Sequence, residues 1–154
     1  MSAILAMYRG PDWSNMTVQK LLVHVGICIW TFSRHSHGEL FIDGTCYSSS
    51  AMDKGVRSKE IDIHSGRWDL YPLHGADKEK ALAVFRKHKG KHYDWPGIVS
   101  WVIRLVRHHP DRFVCFEIIG EMLGLPKPHR LTARRLVSWA KSQDLQAASS
   151  APPL

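Results

Sequence analysis

Cysteine is scarce in this chain: Cys28, Cys46 and Cys115 are the only three among 154 residues. An odd, widely spaced set supplies neither a disulfide framework nor a paired C-x-x-C zinc site, so a reducing compartment is expected. Long apolar runs are missing as well. The most apolar stretch, Leu21 to Phe32, is too short to cross a bilayer and carries His24, which makes it a buried element and leaves no membrane span. The opening residues MSAILAMYRGPDW lack a basic start, an extended apolar core and a small-residue cleavage site, so no secretory leader and a cytoplasmic location are expected. Histidines occur as Arg34-His35-Ser36-His37 and His108-His109, without the helical spacing or acidic companions of a zinc motif. Neither a metal nor another cofactor is expected.

Acidic residues are in deficit, 14 against 21 Lys and Arg, for a net charge of +7. That balance favours anionic partners such as nucleic acid, acidic lipid or an acidic cell-wall polymer. The basic residues are dispersed over Arg57–Lys59, Lys78–Lys91, Arg104–Arg112 and Lys127–Arg135, which favours solvated helix faces over a dedicated nucleic-acid stripe.

What is present suffices for one core: 44% of the residues are hydrophobic and six are tryptophan. A single α+β domain over residues 1–141 is expected, followed by a small, polar, proline-containing tail at 142–154 that is expected to be disordered. Ile4–Tyr8 has strand character, broken by Gly10-Pro11-Asp12. Val18–Trp30 has apolar residues at helical spacing, although its β-branched content also suits a strand. Val56–Ile63 and Trp68–Leu73 read as strands joined by His64-Ser65-Gly66-Arg67, making a small antiparallel sheet of about four strands. Asp77 caps a helix over Lys78–His88, with Leu82 and Phe85 toward the core and Gly90 as its stop. Tyr93-Asp94-Trp95-Pro96 reads as a turn, and Gly97–Arg107 as a helix. A further apolar helix runs from Cys115 to Gly124, and Thr132 caps a last one through Lys141. Trp95, Trp101 and Trp139 lie in apolar or helical contexts and read as core.

The most informative local signal is Asp43-Gly44, the dipeptide of a two-residue type I′ hairpin. If Ile42 faces Thr45, then Glu39 faces Ser48 and His37 faces Ser50. All four side chains then share one face, while Leu40, Ile42 and Tyr47 share the other. Cys115 stands directly before a helical run, whose first-turn amides and dipole can stabilise a thiolate. Such a thiolate needs an imidazole to take its proton and later protonate a leaving group, and His37 on the hairpin's polar face is the best placed. Glu39 can orient that ring, with Ser48 and Ser50 as competing orienters. The plainer reading is that Cys115 is a small buried hydrophobe and Glu39 a surface carboxylate. Asp53, Arg57 and Asp69 read as ties between strands and loops.

Several segments together carry a resemblance: Ser36-His37-Gly38-Glu39-Leu40, Cys46-Tyr47-Ser48-Ser49-Ser50, Gly55-Val56-Arg57, Trp68-Asp69-Leu70, Tyr93-Asp94-Trp95 and Phe113-Val114-Cys115-Phe116-Glu117. In this order, from about Ile4 to Leu136, they resemble a phage and bacterial branch of the circularly permuted NlpC-type papain-fold proteins. That superfamily includes lecithin:retinol acyltransferase-like enzymes, in which the histidine strand precedes the nucleophile helix. The resemblance implies a permuted papain-like fold with Cys115 as nucleophile, His37 as base and Glu39 as the polar third residue. It implies a cysteine hydrolase acting on a peptide, amide or lipid acyl bond, or a catalytically silent binding protein on the same fold that engages an anionic host component. Members often have Cys-Ser-Glu at the nucleophile, where this chain has Cys115-Phe116-Glu117, so Phe116 is expected to alter the pocket wall. Ala133 replaces a proline common after the last helix cap.

Overall fold

Asp43 and Gly44 both adopt positive φ, 47° and 91°, as a type I′ turn demands, and this turn sets the register of the central hairpin. A computed structural model of the chain describes residues 3–10, 17, 18, 21, 25, 34–94 and 112–149. In chain order its elements are β1 (Ala3–Tyr8), β2 (His37–Ile42), β3 (Thr45–Ser50), β4 (Gly55–Lys59), β5 (Trp68–Leu73), α1 (Lys78–His88), β6 (His92–Tyr93), β7 (Arg112–Phe113), α2 (Cys115–Met122), a 3-10 turn (Pro128–Arg130) and α3 (Ala133–Ser149). The strands form one sheet in the order β5-β1-β2-β3-β4-β6-β7. Every pairing is antiparallel except β6 with β7. The architecture is therefore α+β, an antiparallel sheet packed against helices.

The hairpin pairs as its turn requires, Ile42 with Thr45 and Leu40 with Tyr47. The strand period of two then divides the sheet's side chains between two faces. On one face Leu5, Met7, Leu40, Ile42 and Val56 join Ile118, Ile119 and Met122 of α2, Phe85 of α1 and Leu136 of α3 in the main core. Ile118 and Ile119 are wholly buried, and burying each contributes about 1.5–3 kcal/mol. On the other face Ala6, Cys46 and Ile63 form a smaller cluster with the partly buried Ile4, Phe41, Ile61, Trp68 and Leu70.

The helix ends follow their local chemistry. The Asp77 carboxylate accepts from the Lys80 amide at 3.0 Å and the Thr132 hydroxyl from the Arg135 amide at 3.2 Å. Each occupies an amide that a helix cannot satisfy within its first turn. Phe85 is buried and Leu82 partly so, as their spacing predicts, and Trp139 packs against the main core.

Several expectations change. β4 ends at Lys59, because Ile61 and Ile63 turn into the second cluster instead of extending the strand. β5 is not the hairpin partner of β4: residues 60–67 carry the chain to the far edge of the sheet, where β5 pairs with β1. Among the described residues the sheet has seven strands, not about four, since β1 lies inside it and the two-residue β6 and β7 extend one edge. Tyr93 belongs to β6 and not to a turn. The last helix continues past Lys141 to Ser149, since the tail's Gln, Leu and Ala residues are adequate helix formers and no proline intervenes before Pro152. Of the Val18–Trp30 segment, Val18, Leu21 and Val25 are helical. The remainder, Trp95, Trp101 and the Gly97–Arg107 helix lie outside the described residues.

Gly55 tests the junction between β4 and β6. Its φ is +148°, and a Cβ there would overlap the Lys91 carbonyl oxygen, which accepts from the Val56 amide at 2.8 Å. Gly55→Ala is expected to cost about 3 kcal/mol or more. Gly44→Ala, also at positive φ but in open space, is expected to cost about 1–2 kcal/mol. Urea unfolding midpoints at constant m-value measure both.

Candidate active site

The candidate site is built where β2 and α2 begin. His37 is the first residue of β2 and Cys115 the first of α2. Gly38 allows the two elements to meet: a Cβ there would lie 3.1 Å from Met7 Sδ and 3.3 Å from both Phe116 Cε1 and Ile119 Cδ1. Without that side chain, α2 packs directly on the strand. The strand leading into Cys115 is pinned through one carbonyl, that of Phe113, which accepts from Ser49 Oγ at 2.7 Å and from the Asp94 amide at 3.3 Å.

The Cys115 thiol hydrogen-bonds the His37 ring, and His37 Nε2 lies 2.7 Å from Glu39 Oε1. Since Glu39 occupies Nε2, Nδ1 is the nitrogen left to exchange a proton with sulfur. Glu39 is fully buried. Its carboxylate is gripped by the Arg57 guanidinium, Nη1 to Oε2 at 2.8 Å and Nη2 to Oε1 at 2.6 Å. Arg57 Nε donates to Asp53 Oδ2 at 2.8 Å, and Lys59 Nζ lies 3.5 Å from Asp53 Oδ1. The register explains this chain of contacts. Arg57 pairs with Ser48 across β3 and β4, and the hairpin register places Ser48 opposite Glu39. The small serine lets the arginine reach over it.

The electrostatics follow from these contacts. Burial works against a charged His37, but hydrogen bonds to Cys115 and Glu39, together with the charges of both, raise its pKa from 6.5 to about 10. Burial also opposes ionisation of Glu39, yet the hydrogen bonds from Arg57 and His37 and their charges hold its pKa below the ordinary carboxylate value. Cys46 is the contrast: burial and the nearby Glu39 charge push its thiol up to about 12 against the opposing pull of Arg57. It is a buried thiol kept protonated. Tyr93 pairs with Phe113 in the strand just before Cys115. Burial, then the charges of Cys115 and Asp94, raise its phenol above the ordinary value.

The structure thus brings Cys115, His37 and Glu39 together. The competing orienters are engaged elsewhere: Ser48 Oγ donates to the Gly38 carbonyl at 2.6 Å, and Ser50 Oγ accepts from the Asp53 amide at 3.4 Å. Phe116 is 5% exposed and packs in the main core. Glu39 is no surface carboxylate. The residue that sequence reasoning underrated is Arg57, read as a strand tie. It does hold Asp53, but its fork closes on Glu39. The available signal was the hairpin register, which needed the β3–β4 pairing to extend it. Asp69 does tie β5 to the chain entering β2, with Arg34 Nη2 at 2.7 Å and His35 Nε2 at 2.8 Å. His35 and His37 therefore serve different carboxylates, and among the described residues no group of His, Cys, Asp and Glu is placed to hold a metal. Among those residues, too, no helix is long and apolar enough to cross a membrane.

These charges make stability depend on pH in two directions. Glu39 titrates lower folded than unfolded, so its contribution is complete above 4.5 and is lost as pH falls through the lowered folded value. His37 titrates higher folded than unfolded, so its contribution is complete below 6.5 and is lost as pH rises through about 10. Urea midpoints are expected to decline on both sides, and Glu39→Gln is expected to flatten the acid limb.

No model of a known protein family matches the chain, and a search of curated proteins found no relative. The chemistry of the site itself carries the functional reading.

Proposed function

We propose that this chain is a cysteine hydrolase of the permuted papain-like kind, with Cys115 as nucleophile, His37 as base and then acid, and Glu39 as the residue that orients the ring. The observation that carries this reading is the continuous contact from the Cys115 thiol through His37 to the buried Glu39. A cysteine that served only as a core hydrophobe would need no imidazole, and an imidazole on a strand would need no buried carboxylate. The resemblance of the sequence to the permuted family supports the same roles in the same chain order.

In the proposed reaction His37 Nδ1 already holds the proton of the Cys115 thiol, and the thiolate sulfur attacks the carbonyl carbon of an amide or ester. The carbonyl's electron pair moves onto oxygen. Val114 gives α2 no side-chain cap, so the amides of the helix's first turn, which a helix leaves without internal partners, can receive that oxyanion. As the tetrahedral intermediate collapses, His37 donates its proton to the leaving amine or alkoxide and a thioester remains on Cys115. Water, deprotonated by His37, then releases the acid and restores the thiol. A peptide or amide bond of cell-wall type is the first substrate class, and a lipid acyl bond the second. Both follow from the resemblance.

An activity-based thiol probe tests the proposal. Wild-type protein is expected to be labelled at Cys115, with labelling abolished in Cys115→Ala and slowed by roughly 10²–10⁴-fold in His37→Ala. Cys46 and Cys28 provide the internal comparison. If Cys115 reacts no faster than they do, the hydrolase reading fails and a binding protein on the same fold takes its place.

A further inference from the structure

The proposed triad differs in charge from one completed by an amide side chain. A buried carboxylate beside an imidazole has two unproductive options: it can neutralise itself by taking a proton, or it can turn toward another donor. Either would release the ring. Something must hold Glu39 ionised and aimed.

We propose that Arg57 is the positioning residue for His37: its guanidinium fork fixes Glu39 as a carboxylate directed at the ring's Nε2, leaving Nδ1 for the thiol. The inference rests on His37 being the base of the proposed hydrolase. The geometry is that of a two-pronged clamp. Nη1 and Nη2 each engage one carboxylate oxygen, at 2.8 and 2.6 Å, and Oε1 is shared with His37 at 2.7 Å. Planar bidentate pairing fixes the plane of the carboxylate as well as its charge, which a lysine ammonium would not do. The clamp is itself clamped, since Arg57 Nε is held by Asp53 on the turn between β3 and β4. Both partners of the fork are shielded, with the Glu39 side chain 0% and that of Arg57 15% exposed. Water therefore cannot readily replace either one.

Among the described residues the titratable groups around the relay are Glu39 on β2 and Cys115 on α2, which act on His37, Arg57 on β4, which acts on Glu39, and Tyr93 on β6, whose phenol feels the Cys115 charge. Cys46 on β3 stays protonated beside them. Removing Arg57 leaves burial opposed by His37 alone, which shifts Glu39 toward its protonated form. A neutral acid no longer favours a charged ring, so His37 titrates lower.

The test is the pH titration of the His37 ring by NMR, together with the alkylation rate of Cys115, in wild type, Arg57→Met, Glu39→Gln and the double variant. In Arg57→Met the His37 midpoint is expected to fall by more than about one pH unit, to the value found in Glu39→Gln. The double variant is expected to fall no further. Alkylation of Cys115 is expected to slow by roughly ten- to a hundredfold. Arg57→Lys, which keeps the charge without the fork, is expected to retain part of the His37 shift while slowing alkylation. An unchanged midpoint in folded Arg57→Met, or two shifts that add in the double variant, overturns the proposal. Should Arg57→Met fail to fold, Arg57→Lys decides: a wild-type midpoint and rate in that variant overturn it. If the midpoint moves as stated while wild-type Cys115 proves unreactive, Arg57 keeps its role and the hydrolase reading falls.

Discussion

A buried carboxylate governs this structure. Glu39 is out of contact with water, where an unpaired charge would cost several kcal/mol, and it persists because it is shared between His37 and the Arg57 fork. That sharing imposes conditions on everything around it. β2, β3 and β4 must keep a register that lines up residues 39, 48 and 57. Residue 48 must be small enough for an arginine to pass over it. The charge on the ring must in turn be met by the charge of the Cys115 sulfur at the start of α2.

The rest of the fold supplies those conditions with ordinary means. A turn with two positive φ values sets the hairpin register, and the pleat sends Leu40 and Ile42 into the main core while Glu39 occupies the opposite face. Gly38 lets α2 rest on the strand, so that the first residue of the helix reaches the first residue of β2. The Phe113 carbonyl, held by Ser49 Oγ and the Asp94 amide, anchors the backbone just ahead of Cys115. Each contact is modest alone. Together they bring Cys115 and His37, the proposed nucleophile and base, to one place although they lie far apart in the sequence.

How much of this was legible depended on how local its cause was. Asp43-Gly44 is a local signal, and it correctly gave the hairpin, the register and the common face of His37 and Glu39. Asp77, Thr132 and Gly90 marked helix ends through capping chemistry that acts within one turn. The position of β5 was not legible, because its partner β1 lies some sixty residues earlier and the intervening loop gives no sign of a crossover. The short β6 and β7 escaped notice for a similar reason: two-residue strands carry no period and form only because β4 offers an edge to β6 and β6 one to β7. Glu39 illustrates the limit at the site. Its alternation placed it correctly beside His37, but its burial depends on Arg57, and that pairing exists only once β4 lies against β3.

The central claim is that Cys115 acts as a nucleophile driven by this relay. Trapping the covalent intermediate tests it most directly: the protein is mixed with an activated chromogenic ester, and the acylated residue is located by mass spectrometry during the first turnover. The account predicts a burst of chromophore stoichiometric with protein, an acyl group on Cys115, and no such adduct in His37→Ala at the same time point. An acyl group carried by Cys46 or Cys28 instead, or a Cys115 adduct that forms equally fast without His37, would contradict it.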